Sequence, residues 1–421
     1  MLSKHGKIMW ILGLLILVLV SFNVVTIAKD SITITWMSEN HHEPQIKAVR
    51  GKLIQEFEEL HPNVFIMQIQ PPLEGQWMKF SIMARAGITP DIMDLGCEYL
   101  GSAVDRGWVL NLDKYVAEED KENMSKNALN AGKVDGKIYG WPFWGGIYGM
   151  YYNKRFVIEA GLNPDNLPET WDEFLDWAKK MNNPPVYGYA GIWSSGTLFH
   201  HHLARLYSNG GDILNDDYTK CLLDQPEAVE ALSFWTELDS KHKVIPPGPT
   251  TYTYQEQTRA FAYELAASMT NALWAMPKLL GDNPEAMTDN ILIGQNPYRT
   301  VPATYAKILY QVIGANSENP DIAWEFIKYL NTFEAATQRA VEAKWIPFRT
   351  DVINAPEVQD SEDLKQFLGF METAKTNPNV PQIGEIQSRI IEMVQMVLTG
   401  QATPEEASIE ATKDIDKMLA K

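Results

Sequence analysis

Residues 132–162 read GKVDGKIYGWPFWGGIYGMYYNKRFVIEAGL. The stretch opens with Asp135-Gly136 between two short apolar runs, the pattern of a tight hairpin. Next come Trp141, Phe143, Trp144, Tyr148, Tyr151 and Tyr152, set among Gly140, Gly145, Gly146 and Gly149. Aromatic side chains supply flat apolar faces, and glycines let a backbone approach another surface closely. Met150-Tyr151-Tyr152 reads as strand, and Asn153-Lys154 leads into a helix. Two readings fit: a buried strand of an α/β core, or a cleft wall that is also a crossing between two lobes.

Upstream, Ile32-Thr33-Ile34-Thr35-Trp36 alternates like a half-buried strand. Ile46, Val49, Leu53, Phe57 and Leu60 recur at helical spacing, and Val64–Ile69 reads as a second strand. A strand, a helix and a strand in that order imply a right-handed βαβ unit and a parallel sheet. Ligands in such sheets sit at the carboxyl ends of the strands. Residues 36–42 form the first such end, and Gly96-Cys97-Glu98-Tyr99 forms another, after the strand Pro90–Leu95. Downstream, Thr170 and Glu173 make a capping box for a helix. Strands are expected at Tyr187–Ile192, Ala266–Thr270 and Ile308–Gly314, and helices at Pro226–Ser240 and Asp321–Asn331.

The chain has 421 residues, enough for two lobes. Its net charge of −18 excludes a nucleic-acid partner, whose phosphates want clustered Lys and Arg, and weighs against strongly anionic ligands. Lys4, Lys7, the apolar run Ile8–Val20 and the small residues before Lys29 predict a signal peptide over 1–28, cleaved after Ala28. An uncleaved N-terminal membrane anchor is the alternative. Cys97 and Cys221 allow one disulfide or two free thiols.

No G-x-S-x-G, Walker A, H-E-x-x-H or G-x-G-x-x-G pattern occurs. Acids are plentiful, but sequence alone cannot place a pair such as Asp94 and Glu98 around one scissile bond. His200, His201 and His202 are consecutive on a helix, where neighbours point about 100° apart and do not converge on one ion. No metal and no cofactor are expected. Tryptophans carry the stronger signal. Trp171, Trp177, Trp235 and Trp324 sit at helical spacing and read as core. Trp36, Trp141, Trp144, Trp193, Trp274 and Trp345 fall on strand ends or loops and read as ligand contacts. A sugar ring suits them: aromatic rings cover its apolar face while Asp, Glu, Asn and His satisfy its hydroxyls.

The ordered pieces ITITWMSEN, PDIMDL, GKIYGWPFWGGIYGMYYNK, PETWDEF, MTNALWAM, VIGANSENPDIAWEFIKYL and IPFRTDV resemble the extracellular sugar-binding proteins of ABC importers, the group that includes maltose-binding protein. The resemblance implies a two-lobe periplasmic-binding-protein fold. Each lobe would be a mostly parallel sheet flanked by helices, with a three-segment hinge near Gly145–Gly149, Lys307–Gly314 and Glu362–Phe370. Lobe 1 would take residues 29–146 and 311–365, and lobe 2 residues 147–310 and 366–421. It further implies a monomer that binds a sugar without catalysis and delivers it to a membrane permease. The alternative is a secreted carbohydrate-active enzyme or a lectin-like module. Carried over by position, Ser38, Glu39, Asn40 and His41 would touch the ligand, as would Glu98, Trp141 and Trp274; Asn271, at the end of its strand, is a further candidate contact. The sequence departs from the family pattern at three places. Ala272-Leu273 replaces the family's Gly-Pro before Trp274, Gly146 replaces an acid expected in the maltose binder, and the late stacking Trp expected in that binder falls near Gln387, where no aromatic stands. These departures weigh against maltose as the ligand.

Overall fold

The computed structural model describes residues 31–38, 44–71, 75–194 and 196–420. The expected signal segment lies outside the described residues, as do Glu39, Asn40 and His41. Among the described residues no helix is long and apolar enough to cross a membrane.

The chain begins β1 (Ile32–Met37), α1 (Pro44–Leu60), β2 (Val64–Ile69), α2 (Gln76–Arg85), β3 (Ile92–Gly96) and α3 (Cys97–Asp105). β1 pairs in parallel with both β2 and β3, as the βαβ order requires. Ile46, Val49, Leu53 and Phe57 turn inward from α1, but Leu60 is 67% exposed, so the apolar stripe stops one turn earlier than its spacing predicts. α3 starts directly at Cys97, which puts Glu98 in the first turn of a helix rather than in a loop.

The hairpin β4 (Lys133–Val134) and β5 (Lys137–Ile138) follows, with φ of 50° at Asp135 and 75° at Gly136. Two positive φ values at the turn are the type I′ signature that matches strand twist. β6 (Trp141–Asn153) is 13 residues long and buried throughout. Beyond it come α4 (Trp171–Lys180), α5 (Thr197–Ser208), α6 (Pro226–Ser240), α7 (Tyr254–Ala262), β7 (Ser268–Ala272), α8 (Ala275–Asp282), β8 (Ile291–Gly294) and β9 (Thr304–Ile313). The chain closes with α9 (Pro320–Leu330), α10 (Phe333–Ala343), α11 (Glu362–Gly369), β10 (Ala374–Lys375), α12 (Ile383–Leu398) and α13 (Pro404–Leu419). The Thr170–Glu173 capping box forms as expected. The strand expected at Tyr187–Ile192 is reduced to two single bridges, Tyr187 to Ala266 and Ala190 to Met269.

The main sheet has the order β2-β1-β3-β9-β6-β7, with β8 on β6 and β10 on β9. Its parallel part is β2-β1-β3; β9 and β6 join it antiparallel. β6 serves both lobes. Its first half pairs with β9 from Trp141 to Ile147, and its second half with β7 and β8 from Tyr148 to Asn153. The cores divide accordingly. One cluster gathers β1–β3, α1, α9, Trp141 and Trp144. A second gathers Tyr148, Tyr152, α4–α6, α12 and α13. A third joins α7, α8 and β7 to α10 and α11. This is a two-lobe α/β protein whose lobes share continuous strands.

Candidate functional site

A cavity of about 780 Å³ lies between the two lobes. Met93, Leu95, Trp144 and Trp345 line it from the first core, and Tyr148, Tyr254 and Ile391 from the second.

Its floor is built by β6 and the segments that cross it. Trp144 stacks on Trp345 with centroids 4.1 Å apart and planes 11° apart. Trp274 stands edge-on to Trp144 at 6.0 Å and to Tyr148 at 5.6 Å. Gly146 makes room for it: a Cβ there would lie 2.8 Å from Trp274 Cη2 and closer to two other ring atoms.

Glu98 supplies the charge. Its carboxylate is 3% exposed, with Oε1 3.3 Å from Lys307 Nζ on β9 and 3.7 Å from His200 Nε2 on α5. Burial alone would raise its pKa; the Lys307 ammonium and His200 outweigh burial and hold the carboxyl well below the usual range. Glu98 is thus an anion, fixed where first lobe, second lobe and shared strand meet. His200 stacks on Tyr305 at 5.1 Å, and its Nδ1 lies 3.1 Å from the Tyr148 hydroxyl. Burial pushes the imidazole pKa down, so the ring is neutral.

Trp144 Nε1, Trp345 Nε1 and Gln387 Oε1, on residues that line the cavity, are themselves buried and have no hydrogen-bond partner among the described residues.

Of the residues singled out from sequence, the structure brings Glu98, Trp144, Trp274 and Trp345 together at this cavity. Others lie elsewhere. Trp36 is fully buried in the first lobe, where Nε1 donates to Asp94 Oδ1 at 2.8 Å and Arg50 pairs with the same carboxylate at 2.9 Å. Trp141 packs edge-on against Trp324 at 5.4 Å. Trp193 is 1% exposed inside the second lobe, under the Arg205 guanidinium at 4.5 Å. Asn271 donates to Gln257 Oε1 at 3.0 Å and is buried. Ser38 is buried at the end of β1 and is not among the cavity residues. Trp36 and Asn271 are satisfied by a core partner and not by the cleft, while Ser38 Oγ, Trp141 Nε1 and Trp193 Nε1 are buried with no hydrogen-bond partner among the described residues.

Sequence reasoning passed over Lys307, Trp77 and Trp108, which also line the cavity, and considered His200 only as a metal ligand. Among the described residues no group of three or more His, Cys, Asp or Glu is placed to hold a metal ion. Both cysteines are free thiols, buried in different lobes.

The family model for bacterial extracellular solute-binding proteins matches residues 43–337. A maltotriose-binding protein of Pyrococcus abyssi is 26% identical over 373 residues, 88% of this chain and 78% of that protein. A galactooligosaccharide-binding protein of Bacillus subtilis is 22% identical over 386 residues, 85% of this chain and 83% of that one. Among solved structures, an ABC transporter solute-binding protein of Thermotoga lettingae bound with α-D-tagatose superposes with a TM-score of 0.86 at 27% identity. The match covers 92% of this chain and all of that one. A maltose-bound protein of T. maritima gives 0.84 at 25% identity over the same share. The chain belongs to the family of bacterial extracellular solute-binding proteins.

Proposed function

We propose that the protein captures a sugar or oligosaccharide in the cleft between its lobes and delivers it, unchanged, to the membrane permease of an ABC importer. The observation that carries this reading is the wall itself. The stacked indoles of Trp144 and Trp345 and the edge-on Trp274 stand beside the fixed Glu98 carboxylate and the Lys307 ammonium. Such a wall offers an apolar face and both donors and acceptors, which is what a sugar ring presents in return. The ligands named for the relatives, maltotriose and galactooligosaccharides among them, are of the same class.

The charge on Glu98 supports binding over general-acid hydrolysis. A general acid needs a raised pKa, and Lys307 drives this one the other way. Closure is carried by the strands both lobes share: ligand touching both lobes favours the closed state through its differential affinity. The exported monomer, with residues 1–28 removed, would meet its permease through a modest and polar contact, as transient partners do.

A thermal-shift and calorimetric screen over a panel of mono- and oligosaccharides tests the proposal. The bound sugar raises the melting temperature by linkage and is recovered intact. If no sugar shifts the melt, or if product forms and Glu98→Gln abolishes it, the reading fails.

A further inference from the structure

Helices α2 and α3 present matched rows to the cavity. Trp77, Ser81 and Arg85 follow at four-residue steps along α2; Tyr99, Ser102 and Arg106 follow at steps of three and four along α3 and its C-terminal cap. Residues so spaced share one helix face, and all six line the cavity. Trp77 and Tyr99 stack at 4.7 Å with planes 5° apart. Trp108 joins the rows, with its ring 5.8 Å from that of Trp77 and the Arg106 guanidinium 5.4 Å from its own centroid. Each row therefore offers an aromatic ring, a hydroxyl and a guanidinium, in that order.

The rows end in two exposed arginines, and neither forms an ion pair among the described residues. Half of the ten arginines hold a carboxylate, and Arg205, Arg259 and Arg339 also form no ion pair among the described residues. Of the three arginines that line the cavity, however, Arg389 is held by acids while Arg85 and Arg106 are not. A cation at a helix C-terminus complements the helix dipole, which accounts for a charge at each helix end. It does not account for both being arginine or for both lying on the cavity wall. Guanidinium presents a fork of N–H groups that matches carboxylate and phosphate oxygens.

We infer that the bound sugar carries an anionic group, a carboxylate, sulfate or phosphate ester, on the part that lies along α2 and α3, where Arg85 and Arg106 hold it over the Trp77–Tyr99–Trp108 wall. The inference rests on the sugar-binding reading of the same cleft. The overall negative charge does not oppose it at close range. Charges beyond a Debye length, about 8 Å at physiological salt, are largely screened; of the acids that line the cavity itself, Glu98 faces Lys307 and Glu392 faces Arg389, which leaves Glu385 on α12 as the acid the two arginines must outweigh.

Calorimetry of the protein against matched pairs tests it: galactotriose with trigalacturonate, and maltotriose with its singly sulfated and singly phosphorylated forms. In at least one pair the acidic member binds about tenfold tighter or better. That advantage shrinks from low to high salt and disappears in the Arg85→Ala/Arg106→Ala variant, whose affinity for the neutral member stays within about twofold of wild type. The pair that responds separates carboxylate from sulfate and phosphate. An unchanged melting temperature confirms that the variant folds. The inference is overturned if the neutral member binds as well in every pair, or if the preference survives in the variant. It is also overturned if the variant weakens neutral and acidic sugars alike, which would mean that the arginines close the cleft against the Glu385 side. If no sugar of either charge binds, the sugar-binding reading itself falls, and this inference with it.

Discussion

Gly146 and Trp274 compete for the same space, and that competition is measurable. A Cβ on Gly146 would sit 2.8 Å from Trp274 Cη2 and nearer still to Cζ3 and Cε3, where carbon atoms in contact prefer about 3.5–4.0 Å. In Gly146→Ala the indole must swing or β6 must bend, and such overpacking costs about 1–3 kcal/mol. The backbone itself does not resist, because Gly146 is not among the positive-φ residues. Alanine's smaller unfolded-state freedom even returns about 0.4–1 kcal/mol. The expected net loss of stability is about 1–2 kcal/mol. A displaced Trp274 also loses its edge contacts to Trp144 and Tyr148, worth about 0.5–1.5 kcal/mol each, and no longer stands in the cavity wall. Sugar affinity falls about tenfold or more. Denaturant unfolding and calorimetry on wild type, Gly146→Ala, Trp274→Ala and the double variant close a thermodynamic cycle. In the Trp274→Ala background the obstructing ring is gone, so Gly146→Ala becomes neutral or slightly stabilising, with a coupling of about 1–3 kcal/mol. If Gly146→Ala costs the same in both backgrounds, or leaves sugar affinity of the wild type unchanged, the packing argument is refuted.

Three further outcomes are expected. Glu98→Gln weakens sugar binding by about 1.5–3 kcal/mol, the range for hydrogen bonds to a charged group. Because the Glu98 pKa is lower folded than unfolded, its stabilisation is complete above about pH 4.3 and fades as pH falls through the folded value. The stability gap between wild type and Glu98→Gln therefore narrows in acid denaturation series; a gap that widens there contradicts the assignment. Trp171 is fully buried, stacked 4.8 Å from Phe234, so Trp171→Ala costs about 3–5 kcal/mol in unfolding experiments while sugar affinity holds. Burial pushes the Cys97 thiol up to about 12 and the Cys221 thiol up to about 11. A thiol reagent should be inert to the native protein near pH 8 and should titrate both cysteines after denaturation; an unfolded chain that yields no thiol would show a disulfide instead.

Much of the fold was legible because local signals and the global fold agree. The alternation of Ile32–Trp36 and the stripe Ile46–Phe57 announce β1 and α1. Asp135-Gly136 supplies the two positive φ values that its hairpin needs, and Thr170 with Glu173 caps α4. What alternation cannot give is which face of a long strand looks at the cleft. Trp141 and Trp144, three apart, would face opposite ways in a regular strand, but a bulge between Pro142 and Trp144 sets them opposite Gln311 and Leu309, two apart on β9, and so on one face; there Trp141 reaches Trp324 and Trp144 reaches Trp345. Trp36 read equally well as a cleft residue; only the buried Asp94–Arg50 pair shows where its indole N–H goes. Lys307 lies 209 positions from Glu98, and no spacing rule joins them. The rows on α2 and α3 did carry a sequence signal, Trp77-x3-Ser81-x3-Arg85, but that spacing serves an ordinary solvent-facing helix as well.

The central claim is that the cleft holds a sugar between the aromatic floor and Glu98. A crystal structure of the protein with the oligosaccharide that raises its melting temperature most tests this directly. The account predicts density for a sugar ring against Trp144, Trp274 or Trp345, with a hydroxyl donating to Glu98. A sugar bound at saturation on the outer surface, with the cleft between the lobes unfilled, would contradict it.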